Sequence, residues 1–113
     1  MISMTFIQKA SDLEAALKEI DKIIIGLSEY FLSYRAVRNE KYDKFKNSYR
    51  TICSIETKIV ITENIAIKLL NKIADKWEWD ECKSSAWSSK DTMGSIFSTD
   101  NLIFVNSWFE DLE

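Results

Sequence analysis

The chain has 113 residues with no histidine and no proline, and it contains only two glycines and two cysteines. Without histidine there is no Ser/His or Cys/His catalytic pair, no imidazole metal ligand, and no side chain whose ordinary pKa lies near neutrality. Chemistry is left to carboxylates, lysines, tyrosines and thiols. Cys53 and Cys82 are too few and too widely separated for a zinc site lacking histidine, and they read as free thiols at or near a core. The dinucleotide, phosphate-loop, CxxC, GxSxG and EF-hand motifs are all missing, and Asp91 to Asp100 lacks the alternating acids of a calcium loop. The expectation is therefore no metal, no cofactor and no enzymatic activity. The longest apolar runs, Ile23-Ile24-Ile25 and Leu102-Ile103-Phe104-Val105, fall far short of the roughly 18 to 20 residues that span a bilayer. Residues 1–9 lack the charged start, long apolar stretch and small-residue cleavage site of a secretory signal, so a cytoplasmic protein without a transmembrane segment is expected.

What is present suits one domain over residues 1–113, with 46% hydrophobic and 29% charged residues. The 15 basic and 18 acidic side chains give a net charge of -3, unevenly spread. Residues 1–50 carry nine Lys/Arg against seven Asp/Glu, whereas from Asp75 onward nine acids face three lysines.

Between Gly26 and Gly94 lie 67 residues without glycine or proline, which argues for long helices over a chain needing a turn every 8 to 12 residues. A capping box at Ser11-Asp12-Leu13-Glu14 opens the first expected helix. Leu13, Leu17, Ile20, Ile24, Leu27, Phe31 and Tyr34 then recur at spacings of four and three, one stripe along about six helical turns. Ala16, Ile23 and Tyr30 widen the stripe, favouring a bundle over a coiled coil, with Gly26 as a close crossing or a bend. A second helical pattern runs through Tyr42, Phe45, Tyr49, Ile52 and Ile55. A third, capped by Thr62, presents Ala66, Leu69, Leu70, Ile73 and Trp77 on one side and ends near Lys76. The serine-rich stretch 83–100 reads as irregular, and Leu102, Val105, Phe109 and Leu112 fit a short C-terminal helix. The expected fold is an all-α, small helical bundle of three long helices plus a shorter C-terminal one. An α+β fold with strands at 57–62 and 102–105 is the fallback.

The leading functional candidate is Asp75, Trp77, Glu78, Trp79, Asp80 and Glu81, with Trp87 close behind, a concentration of indoles and carboxylates suited to a basic protein partner. The competing reading has Trp77 closing the end of the bundle and Trp79 packing beneath the serine-rich loop. A basic counterpart, Arg35, Arg38, Lys41, Lys44, Lys46 and Arg50, is interleaved with Tyr34, Tyr42 and Tyr49. On a helix these cations scatter around the wheel, which disfavours nucleic acid. The expectation is a stoichiometric inhibitor, an immunity protein or antitoxin that blocks a toxic or effector enzyme with a basic cleft. The alternatives are a nucleic-acid-binding or regulatory helical module, and a homodimeric adaptor or secretion chaperone pairing through the first helix.

Overall fold

The computed structural model describes residues 1–110 and 112, and it replaces the expected helical bundle with a six-stranded antiparallel sheet backed by helices. The elements follow the order β1 (Ile2–Lys9), α1 (Leu13–Ile25), β2 (Phe31–Tyr42), β3 (Ser48–Thr57), α2 (Glu63–Asn71), β4 (Glu78–Trp79), β5 (Ser85–Ser89), α3 (Lys90–Met93) and β6 (Leu102–Phe109). The strand order is β2-β3-β1-β6-β5-β4. None of the described helices is long and apolar enough to cross a membrane.

Where the helices do form, local chemistry accounts for them. Asp12, rather than Ser11, caps α1 by accepting a hydrogen bond from the Ala15 amide, and Thr62 caps α2 by accepting one from Ile65. Ala16, Ile20, Ile23 and Ile24 of α1 and Ala66, Leu69 and Leu70 of α2 are buried on the inward faces. Helix α2 stops at Asn71, short of the expected end.

The long first helix of the sequence reading is corrected: α1 ends at Ile25, and the apolar stripe continues through a turn into a strand. Leu27 fills the core from the turn and Phe31 from the start of β2, so a spacing of four and three persists across three kinds of backbone. The run from Tyr30 to Val37 is rich in aromatic residues and pairs with β3, which outweighs any local helical preference. The second expected helix is likewise a turn followed by β3. The serine-rich stretch holds β5 and α3, and the C-terminal helix is β6. The fallback placed one strand correctly at 102–105, yet it pairs with β1 and β5, whereas 58–61 lies outside the sheet.

The shortage of glycine is met by two residues that adopt left-handed backbone themselves. Asn47 (φ 55°) closes the β2–β3 connection and Lys83 (φ 54°) the β4–β5 turn. Asparagine tolerates this conformation, whereas lysine is strained by about 1–2 kcal/mol.

Register separates the two faces of the sheet. Ile2, Ile55 and Phe109 lie abreast on β1, β3 and β6, as do Phe6, Thr51 and Val105, and these join α1 and α2 around the core. Ser3, Thr5 and Ile7 of β1 point the other way, with Ile52 and Arg50 of β3 and Phe104, Asn106 and Trp108 of β6. Neither α1 nor α2 packs on this second face. Three bulges tune it. Those in β2 leave Leu32 and Val37 as extra, exposed residues, and the one opposite Ile7/Gln8 inserts Ile103 into β6.

Candidate interaction surface

The acidic, tryptophan-rich segment divides between the two sides of the sheet. Trp77 follows α2, and its indole N–H donates to the Leu70 and Ala74 carbonyls at 2.9 and 3.0 Å, closing the helix end against the core. Trp79 pairs with fully buried Ala86 and stacks on Phe109, with ring centroids 5.7 Å apart and planes 20° from parallel. Trp87 is opposite Glu78 and therefore emerges on the face that α1 and α2 leave free.

The carboxylates divide as well. Asp75 accepts from the Ile96 amide at 2.7 Å. Asp80 accepts from the Ser84 amide and hydroxyl, both at 2.8 Å, and from the Ser85 amide at 3.2 Å. Chiefly the Ser84 hydroxyl, and then these amides, hold the Asp80 carboxyl below its ordinary pKa of 3.8. Asp80 thus organises the turn that carries strained Lys83. Glu78 and Glu81 are left exposed at the β4 edge.

The basic segment, scattered on a helical wheel, is gathered by the β2–β3 hairpin. Arg35 stands opposite Ser54, Arg38 opposite Ile52, and Arg50 opposite Glu40. The bulge at Val37 shifts the parity of β2, so all three arginines project from the helix-free face. Arg50 forms an ion pair with Glu40 and lies 5.8 Å from the centre of the Tyr42 ring. The two candidate binding segments thus occupy opposite edges of one sheet, β2 basic and β4 acidic.

Between those edges runs a cleft of about 340 Å³. The end of β2 contributes Tyr42 and the turn after it Phe45, β5 contributes Trp87, and β6 contributes Phe104, with Ile7 and Ile103 also lining the cleft. Tyr42 and Phe45 pack with centroids 6.1 Å apart. Ile7 and Ile103 are only 8% and 7% exposed, although they lie outside the main core, so this is a separate apolar cluster. Farther along β6, Trp108 is 45% exposed. Sequence reasoning missed Ile7, Tyr42, Phe45, Phe104 and Trp108 as members of one surface. The available signal was the alternation Ile2, Met4, Phe6 against Ser3 and Thr5, which marks β1 and the existence of a second face.

Among the described residues no three His, Cys, Asp or Glu side chains converge as a metal site. Cys53 is buried, which pushes its thiol up to about 12, with Asp21 adding a smaller contribution, whereas Cys82 is exposed on the β4–β5 turn. Comparison with known protein families, with curated proteins and with solved structures found no match.

Proposed function

We propose that this protein acts in the cytoplasm by binding another protein stoichiometrically, as an immunity protein or antitoxin that blocks a toxic enzyme and turns over no substrate of its own. The observation that supports this most directly is the helix-free face, where Trp87, Trp108, Tyr42 and Phe104 of the sheet and Phe45 of the β2–β3 turn stand partly exposed. Tryptophan, tyrosine and arginine dominate binding hot spots, and a central aromatic patch with charged borders is the usual anatomy of an interface. Glu78 and Glu81 along the β4 edge, with the overall charge of -3, complement a partner whose cleft is basic.

The test is affinity capture of the tagged protein from its own cell lysate after nuclease treatment and a high-salt wash, followed by native mass measurement. The expected result is one enzyme held at fixed stoichiometry, inhibited by one equivalent of this protein, and released by Trp108→Ala together with Trp87→Ala in a still-folded chain. Retention undiminished in that double variant refutes the surface; an uninhibited partner refutes the inhibitor role.

A second reading, nucleic-acid binding, is favoured by Arg35, Arg38 and Arg50 sharing one face. It expects binding that weakens steeply with salt and is lost in Arg38→Glu. The dimeric adaptor loses its original rationale, because Ile20, Ile24, Leu27 and Phe31 of the heptad-like stripe are buried in the chain's own core.

A further inference from the structure

We infer that the aromatic cleft is a seat for a single arginine side chain supplied by the partner, an inference that rests on the protein-binding reading and specifies its chemistry. Four rings from three separated parts of the chain, Tyr42, Phe45, Trp87 and Phe104, line a space of about 340 Å³. That volume accommodates one long side chain rather than a folded element. Ring faces attract cations, and a planar guanidinium adds stacking that an ammonium lacks. Apolar Ile7 and Ile103 suit the methylene stem that such a side chain buries beneath its charged head.

Two residues of opposite charge, Asp91 and Lys44, stand at the rim. Asp91 lines the cleft, is exposed, and enters no ion pair among the described residues. Its carboxylate matches the guanidinium fork with two parallel hydrogen bonds. The molecule already makes this kind of contact at the cleft's own margin, where the Arg50 guanidinium lies beside the Tyr42 ring and pairs with Glu40, leaving Phe45, Trp87 and Phe104 for an incoming side chain. Lys44 also lines the cleft, is exposed, and has no ion-pair partner among the described residues. Its ammonium opposes an incoming cation and would favour an anion, so the two rim charges make the sign of the occupant measurable.

The experiment titrates the full-length, ¹⁵N-labelled protein with blocked tripeptides carrying arginine, leucine or glutamate between two glycines, and with adenosine monophosphate. The readout is the Trp87 indole resonance, assigned by its loss in Trp87→Phe, while the backbone amide spectrum verifies the fold of every variant. The arginine peptide shifts that resonance at millimolar concentration. Asp91→Asn weakens its binding by about fivefold and Lys44→Gln strengthens it by about twofold, the range of one exposed charge contact. No shift with arginine, an equal response to leucine, stronger binding of glutamate or the nucleotide, or reversed effects of the two variants overturns the inference. A stoichiometric partner captured while the arginine peptide leaves Trp87 unmoved removes this inference alone and leaves the protein-binding reading standing.

Discussion

Trp108 and Phe109 are neighbours in β6, and replacing each by alanine separates the two faces of the sheet. Phe109 is 2% exposed, abreast of Ile2, and stacked on Trp79. Truncating a buried phenylalanine costs about 3 to 5 kcal/mol, and the lost ring stack places Phe109→Ala in the upper part of that range. A domain of this length has a total stability of about 6 to 17 kcal/mol, so the variant loses a large fraction of it. At an unfolding entropy of about 2.1 cal/mol/K per residue, each kcal/mol corresponds to about 4 °C, giving a fall of about 16 to 20 °C. Trp108, 45% exposed on the opposite side, is expected to change stability by about 0.5 kcal/mol, or about 2 °C. Thermal unfolding followed by far-UV circular dichroism measures both, with urea titration checking that the slope is unchanged. Equal losses, or a larger loss in Trp108→Ala, would falsify the assignment of the faces and with it the free aromatic surface.

Other consequences are open to direct measurement. Removing Asp80 by Asp80→Ala lowers Tm at pH 7; because the folded carboxyl titrates below its ordinary 3.8, its contribution is present above that value and vanishes as acid carries the solution through the depressed folded pKa. The Tm gap between the variant and the wild type therefore narrows below pH 3.8, and a gap that widens there contradicts the hydrogen-bonded carboxylate. A thiol reagent titrates one cysteine, Cys82, in the folded protein and both after denaturation; rapid native reaction of Cys53 would be inconsistent with its burial. Gly94, at φ 66°, is strained by any side chain, so Gly94→Ala costs about 1 to 2 kcal/mol. Lys83→Gly relieves the same kind of strain and gains up to about 1 kcal/mol after the entropy lost by glycine on folding. Chemical denaturation reads both signs.

The parts of the fold legible in the sequence are those whose signal is local. Thr62 as a cap and Ala66, Leu69, Leu70 and Ile73 at helical spacing locate α2, and the Ser11-Asp12 start locates α1 to within one residue. The strands were hidden for physical reasons. Thr51 and Cys53 take core positions on β3, so its inward face does not read as an apolar alternation, while Tyr42, Phe45, Tyr49 and Ile52 mimic a helix. Bulges at Leu32, Val37 and Ile103 each shift the two-residue period. Turns built on Asn47 and Lys83 instead of glycine removed the punctuation that marks a β protein. At the acidic segment, composition identified Trp77, Trp79 and Trp87, but which side of a sheet each occupies depends on pairing with β5 and β6, which no window of that segment contains.

The central pair of the sheet joins the strand nearest the N-terminus to the strand nearest the C-terminus, with Ile2 beside Phe109. During synthesis β1 (Ile2–Lys9) precedes one of its two neighbours, β6 (Leu102–Phe109), by every other strand of the sheet. The β1–β3 pair and α1 can gather early, but β5 and β4 have nothing to dock on until β6 is threaded between them and β1. Such distant pairing slows folding and leaves an open strand edge on the nascent chain. The helix-free face therefore forms only once β6 has left the ribosome, so the aromatic cleft trails the synthesis of β1 by every other strand of the sheet.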